Sequence, residues 1–424
     1  MSGRLVVLDD DPTGAQALAG IEVLLDWSAA TIADALRTAP AVHLLTNTRA
    51  LEPDAAREAV RTAATVAHDA APAGRIVLRG DSTLRAHLRE EYEGLRDALW
   101  PGRTPPLLLV PALPAAGRVT RDGAHLVVRN GTATPVGETE YARDGIFSYG
   151  SSNVLEWAEE RSAGLFPAAT GVSFPLDTLR RPDGPGALSA RLTELVRDGL
   201  PCVCVPDVES DADVALVAEA VRNAPAELAV RCAPALAGAL AGSTARAPAP
   251  MPRVDCVLVV CGSYVPGTTR QLAKLRDAVG AEPFVDVDVL ALVADDPSAE
   301  IERVAGLAGA RLESSGVAIV ATPRQRPEGT RTIVAAGRIA DGLATAAAAV
   351  EPRPDLVVAK GGVTSAVTAR AFGADRALVV GPILPGVSLW TLSSGVDYVV
   401  VPGNVGDDDL LARLVGSLRE PALR

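Results

Sequence analysis

Leu5-Val6-Val7-Leu8 runs straight into Asp9-Asp10-Asp11-Pro12-Thr13-Gly14. An apolar run this short, rich in Val and Leu, reads as a buried parallel strand. Its abrupt stop in a polar, glycine-bearing cluster marks the strand's carboxyl end. The arrangement recurs at Val42–Leu45 before Thr46-Asn47-Thr48-Arg49, and at Ile76–Leu78 before Arg79-Gly80-Asp81-Ser82-Thr83. It recurs again at Cys256–Cys261 before Gly262-Ser263, and at Leu356–Ala359 before Lys360-Gly361-Gly362. Ligands of open α/β sheets sit at the carboxyl ends of the strands, so these clusters outline the rim of a binding site.

Working outward, residues 1–240 alternate strand signals with helical periodicity. Strands are expected at Leu5–Leu8, Ile21–Leu25, Val42–Leu45, Ile76–Leu78, Leu107–Val110 and Cys202–Val205. Helices are expected at Ala29–Thr38, Asp54–Ala70, Leu84–Leu99, Asn153–Ser162 and Ala190–Asp198. Such alternation implies βαβ units and a mostly parallel sheet. Residues 115–150 lack periodicity and are rich in Gly, Thr and Arg, which marks a long loop or small excursion over the site. Residues 241–253 place Pro at 248, 250 and 252 among small residues and read as a semi-rigid linker. The strand–helix pattern then restarts and fills 254–424. The fold class expected is α/β, two α/β domains with mostly parallel sheets facing a shared cleft: an N-terminal domain over 1–240 and a C-terminal one over 254–424.

Composition narrows the function. The chain has 424 residues and a formal net charge of −12, which disfavours a nucleic-acid partner. No apolar run is long enough for a membrane span, and the first residues enter a strand with no leader pattern, so a cytoplasmic location is expected. The five cysteines, Cys202, Cys204, Cys232, Cys256 and Cys261, show no CxxC spacing. They read as small buried hydrophobes in a reducing compartment. The four histidines show no metal spacing. His43 reads as structural, while His87 and His125 lie near polar clusters.

The chemistry concentrates in the strand exits. Lys360-Gly361-Gly362-Val363-Thr364-Ser365 sits between a strand and a helix, where exposed amides form an anion site and glycine lets the backbone approach a ligand. Gly262-Ser263-Tyr264-Val265-Pro266-Gly267, Gly381 to Val387 and Pro402-Gly403-Asn404-Val405-Gly406 are three further glycine-bearing exits. Neither a P-loop nor a dinucleotide fingerprint is present. In the first half, Asp10, Asp11, Thr13, Asn47, Arg49, Asp81, Ser82 and Arg85 offer carboxylates beside guanidinium groups. Carboxylates can orient or deprotonate a sugar hydroxyl. Arg49 and Arg85 can clamp a substrate carboxylate. The plain alternative for Asp9-Asp10-Asp11 and for Asp81-Ser82-Thr83 is helix capping.

Taken as a set, these segments resemble the four-carbon acid sugar kinases. Leu8 to Gln16, Thr46 to Leu51, Asp81 to His87 and Val110 to Arg118 are similar to that family's N-terminal signatures. Gly262-Ser263, Lys360 to Ser365, Leu384-Pro385-Gly386-Val387 and Pro402 to Gly406 are similar to its nucleotide-binding segments. The resemblance spans nearly the whole chain in order. Two positions depart from it: Val363 stands where the family often has aspartate, and Ala86 where it often has glycine.

What the resemblance implies is an ATP- and Mg²⁺-dependent kinase of threonate, erythronate or an oxo-tetronate. Asp11 or Asp81 would orient or deprotonate the acceptor hydroxyl, with Asp10 a weaker candidate. Thr13, Asn47, Arg49, Ser82 and Arg85 would hold the acid. Ser263, Lys360, Gly361, Gly362, Val363, Thr364, Gly386, Gly403 and Asn404 would hold ATP; no metal ligand is assigned. The partner expected is a small sugar acid, not nucleic acid or a membrane, with homo-oligomerisation left open. Two competing readings are a nicotinamide-dependent sugar-acid oxidoreductase, which lacks its fingerprint, and a non-catalytic binding homologue with Val363 as the lesion.

Overall fold

The computed structural model describes residues 4–12, 19–129, 131–242, 248–403 and 405–419. They form two compact units. The first holds 4–12 and 27–242, the second 19–26 and 248–419.

The first unit is built on a parallel sheet in the order Ala41–Leu45, Leu5–Asp9, Arg75–Arg79, Ala229–Cys232, Leu107–Val110, Val203–Pro206, Val172–Phe174. Leu5–Asp9 pairs in register with both neighbours, Asp9 lying opposite Leu45 and Arg79. Val6, Val7, Val42 and Val77 are fully buried, as strands covered on both faces require. The helices Pro53–Ala70 and Leu88–Leu99 pack on each other beside it. The second of these was expected from Leu84. It begins at Leu88 because Leu84 adopts a left-handed φ of 66° and the chain from Asp81 to His87 is a turn. A buried Leu in that region is strained.

The segment without periodicity folds as a three-stranded antiparallel ribbon, Arg118–Arg121, Ala124–Arg129 and Thr132–Pro135, followed by irregular turns. Its side chains alternate only weakly because each strand is short. Strand Ala229–Cys232 was not expected, since Arg231 interrupts its apolar run.

The second unit carries five parallel strands in the order Phe284–Asp286, Val317–Ala321, Val257–Cys261, Leu356–Lys360, Asp397–Val401. Val387–Leu392, Arg376–Leu384 and Ile21–Leu24 extend the sheet antiparallel. Helices Pro266–Val279, Ser298–Ser315, Ile333–Ala348 and Gly362–Ala371 follow the expected periodicity to within a few residues.

Two expectations are corrected here. Ile21–Leu24, placed by the sequence in the N-terminal alternation, is an edge strand of the second unit. Arg376 lies opposite Leu24 and Val379 opposite Ile21, and Arg370 Nη2 donates to Leu25 O at 2.6 Å. A period-2 pattern fixes which face of a strand is buried, not which sheet edge receives it. The Gly381–Val387 cluster, read from the sequence as the end of a strand, lies within a hairpin. The strand continues to Leu384, turns at Gly386 (φ 74°) and returns as Val387–Leu392. No helix among the described residues is long and apolar enough to cross a membrane.

Candidate active site

At the carboxyl ends of three adjacent strands of the first unit, acids and arginines interlock. Arg79, ending its strand, reaches Asp9 Oδ1 with Nε at 2.7 Å and Asp10 Oδ1 with Nη1 at 2.9 Å, and donates to the Asp11 carbonyl. His43 Nδ1 lies 2.7 Å from the other Asp9 oxygen. Burial raises the Asp9 carboxyl, yet Arg79 and His43 outweigh it and hold it below the ordinary aspartate value. Asp9 and Arg79 are therefore the floor of the site rather than its reactive groups.

Arg49 stands above them, after Asn47, whose left-handed φ of 53° turns the chain. Its Nε lies 3.1 Å from Asp10, its Nη2 2.8 Å from Asp11 and its Nη1 3.8 Å from Asp81. Asp10 is pushed up by burial against the pull of Arg49 and Arg79. Asp81 behaves oppositely. Burial raises it, but Arg85, Arg49 and the hydrogen bonds from Arg85 and Thr83 hold it well below the usual carboxylate range. Asp81 Oδ2 takes the Arg85 Nε hydrogen bond at 2.8 Å and the Thr83 hydroxyl. Asp81 Oδ1 has only the long Arg49 contact among the described residues, so it is the acceptor oxygen left open. The Asn47 Oδ1 is likewise buried without a hydrogen-bond partner there. Ser82 lies in the same turn, buried at its side chain.

A second tier supports these groups. Glu91 pairs with Arg231 and accepts from Thr48 Oγ1 at 2.6 Å. Burial draws Arg231 down to about 10, with Arg79 and Arg49 adding to the effect against Asp10. Gly80 leaves room for this guanidinium: a Cβ there would collide with Arg231, its Cζ at 2.7 Å.

The antiparallel ribbon and its following turns fasten the Asp81 turn. His125 Nε2 lies 2.8 Å from Ser82 O, and Tyr149 Oη donates to Thr83 O at 2.7 Å. His87 Nε2 lies 2.9 Å from Leu51 O. Both histidines that the sequence left open thus serve backbone carbonyls. The same excursion brings Arg118 and Arg129 to Tyr141, whose ring also faces Arg85 at 5.6 Å. Arg118 Nε is buried without a partner among the described residues. Sequence reasoning assigned no role to Arg118, Tyr141, His125, Tyr149 or Arg231. The signals for some of them were the richness of 115–150 in Arg, the place of Arg118 in a family-like segment and the polar surroundings of His125; Arg231 had none.

In the second unit, Gly262, Ser263, Gly361, Thr364 and Gly403 converge from three strand ends. A Cβ on Gly262 would lie 2.5 Å from Thr364 Oγ1, one on Gly361 3.4 Å from Ser263 Cβ, and one on Gly403 3.0 Å from Ser263 Oγ. A side chain at 262 would clash with Thr364, one at 403 would press on Ser263, and at 361 the positive φ itself favours glycine. Gly361, at φ 116°, opens the helix Gly362–Ala371. The first intrahelical bond there runs from Ser365 N–H to Gly361 O at 2.9 Å, so the amides of Gly362, Val363 and Thr364 form its positive end. Val363 contributes a main-chain N–H whatever its side chain. Thr268 Oγ1 joins Ser263 Oγ (3.1 Å) to Gly403 O (3.2 Å). Arg324 Nη1 donates to Ser263 O at 2.8 Å, and Tyr264 lies beneath Arg324 and Arg326.

Lys360 does not stand free at this cradle. Its Nζ donates to Pro402 O at 2.7 Å and Val405 O at 3.3 Å, so it ties down the segment that carries Gly403. Gly386 packs against Val405, its missing Cβ 2.6 Å from Val405 Cγ1. Thr13 and Asn404 lie outside the described residues.

Residues 5–240 match the sugar-binding N-terminal domain and residues 258–411 the nucleotide-binding C-terminal domain of known kinases. The chain belongs to the four-carbon acid sugar kinase family. Within the family, D-threonate kinase of Salmonella typhimurium is 31% identical over 334 residues, covering 76% of this chain and 72% of that protein. The fold is shared with a Salmonella typhimurium LT2 protein crystallised under a tRNA synthase label. That match has a TM-score of 0.69 and 21% identity, over 97% of this chain and 98% of that one. It is shared too with a Haemophilus influenzae protein, at TM-score 0.61 and 19% identity, over 97% of this chain and 100% of that one. By these family domains the acid–arginine cluster falls in the sugar-binding half and the glycine cradle in the nucleotide-binding half.

Proposed function

We propose that the protein transfers the γ-phosphoryl group of ATP to a hydroxyl of a four-carbon sugar acid, threonate, erythronate or an oxo-tetronate, in the cytoplasm. The observation that carries this reading is the open Asp81 Oδ1 on a carboxylate held by Arg49 and Arg85, with Arg118 sharing the Tyr141 ring with Arg85 and with Asn47 Oδ1 and Arg118 Nε buried without partners among the described residues. A sugar acid needs cations for its carboxylate and acceptors for its hydroxyls, and these atoms offer both.

Arg85 and Arg118, gathered at Tyr141, would take the carboxylate. Asn47 Oδ1 would accept from a hydroxyl. Asp81 Oδ1 would orient the attacking hydroxyl. Its low pKa suits orientation and late proton acceptance in a loose transition state, where positioning dominates. Asp10, with both oxygens on arginines, and Asp11, held at Arg49, would keep the local field balanced.

What supports a phosphate cradle is that three strand ends meet at Gly262, Gly361 and Gly403 beside the amino end of the helix Gly362–Ala371, with Gly361 at a φ of 116° that side-chain-bearing residues rarely adopt. The Gly362–Thr364 amides would hold phosphate oxygens as helix N-termini do. When bound, ATP with Mg²⁺ supplies the transferable group and neutralises its charge. Among the described residues no group of three or more His, Cys, Asp or Glu side chains forms a metal site.

The test is ADP release by the purified full-length protein with ATP, Mg²⁺ and a panel of tetronates. Release dependent on one of the acids supports the reading. Turnover only with a nicotinamide cofactor, or ligand-induced thermal stabilisation with no turnover at all, overturns it.

A further inference from the structure

At the amino end of the first unit's sheet lies a cavity of about 550 Å³. Its floor is apolar, formed by Leu5 and Ile76, both 5% exposed, with Leu99 and Trp100 along one wall. Arg4, His68 and Arg222 stand exposed at the rim, and Arg75 is set deeper. Among the described residues no carboxylate lines it, although the chain as a whole is strongly acidic.

Arg75 is held in place rather than paired. Its N–H donates to Arg4 O at 2.9 Å, and its Nη2 donates to Ala224 O at 2.8 Å and Pro225 O at 3.2 Å. Its Nη1 is buried and has no hydrogen-bond partner among the described residues. Arg4, Arg75 and Arg222 form no ion pair there. Burial alone draws the Arg75 guanidinium below its ordinary value, with no anion opposing the shift. A buried guanidinium lacking a counter-charge is costly in an isolated protein and favourable once an anion arrives.

We propose that this cavity is a second ligand site, for a small organic anion: a phosphate monoester or carboxylate whose apolar or planar part rests against Trp100 and Leu99 while its charge meets Arg75, Arg4 and Arg222. The site is separate from the acid–arginine cluster. Arg75 and Arg79 are opposite ends of one strand, ~13 Å apart at strand rise. Because Leu5–Asp9 and Arg75–Arg79 each run from this cavity to the cluster, an anion bound here rests on the two strands that carry Asp9 and Arg79.

The probe is phenyl phosphate, titrated into the full-length protein by calorimetry and by tryptophan fluorescence. Trp100 is the one of the chain's four tryptophans that lines the cavity. Saturable binding is expected. Trp100→Phe should abolish the fluorescence response while calorimetric binding persists. Arg4→Ala and Arg222→Ala, both at exposed positions, should each weaken binding by ~10-fold, with circular dichroism confirming the fold of Arg222→Ala because Arg222 also donates to Ala239 O. Arg49→Ala should leave it unchanged. The proposal is overturned if no saturable binding occurs at millimolar probe, or if Arg49→Ala removes the binding while Arg222→Ala does not. It is equally overturned if phenol binds as well as phenyl phosphate, which would make the cavity merely apolar. Inorganic phosphate binding as tightly as the ester would remove the organic part of the ligand and with it the role of Trp100.

Discussion

Lys360→Met probes the most unusual charge in the nucleotide-binding half. Lys360 is fully buried, and its ammonium meets two carbonyls and no carboxylate among the described residues. Burial draws its pKa from 10.5 to about 8, against a small opposing pull from Cys261. Unfolded, the amine keeps its proton to about 10.5. Between about 8 and 10.5 the unfolded chain therefore binds more protons, and stability rises with pH across that window. Below about 8 both states are charged and the full burial penalty remains. A tenfold change in proton affinity corresponds to about 1.4 kcal/mol, so the parent gains ~3 kcal/mol across the window from this group.

Methionine has similar length and carries no charge. Val405 O keeps the Gln271 Nε2 hydrogen bond at 3.0 Å, while Pro402 O loses its donor, at a cost of about 1–3 kcal/mol. The variant should therefore be close to the parent in stability near neutral pH. It should fall behind by ~3 kcal/mol more as the pH rises to about 10.5. Urea unfolding at several pH values reads this, with Cys261→Ala added to both proteins because Cys261 and Lys360 act on each other, so that the remaining Tyr and Cys titrations cancel. With the Pro402–Val405 segment untied, nucleotide KM should rise by about tenfold with a smaller change in kcat. Parallel stability–pH curves for the two proteins would refute the reasoning, because they would mean that the folded protein does not disfavour the ammonium.

Asp81→Asn should lower kcat by ~10²-fold or more with nucleotide KM little changed, measured in the ADP-release assay; near-parental turnover would remove Asp81 from the acceptor site. Gly80→Ala places a methyl against Arg231, which Glu91 pins, so unfolding free energy should fall by about 1–3 kcal/mol; a change within about 0.5 kcal/mol would show that the guanidinium retreats freely. His125 is held by burial at about 4, below its ordinary 6.5, so the unfolded state binds more protons in this window and stability should drop as pH falls from 6.5 to about 4. His125→Gln should flatten that limb in acid titrations followed by circular dichroism. Gly262→Ala, whose methyl would press on Thr364, should raise nucleotide KM without moving the KM of the sugar acid.

The sequence alone determined most of the parallel strands, the positions of their carboxyl ends and the succession of two α/β halves; it missed Ala229–Cys232 and Val172–Phe174. The strands it found are continuous apolar runs, and the polar cluster ending each is local, so both can be read from neighbouring residues. The glycines at 262, 361 and 403 were legible for the same reason: each sits in the local polar cluster that ends a strand. Only the tertiary structure decided that Ile21–Leu24 joins the strand Arg376–Leu384, some 350 residues away, and that Arg231 lies under Gly80 beside Glu91. It alone turned Lys360 onto Pro402 and Val405 and brought Tyr149 and His125 to the Asp81 turn. Hydrophobic period encodes which face is buried. Partner choice is set by contacts between segments far apart in the chain, and no local pattern records it.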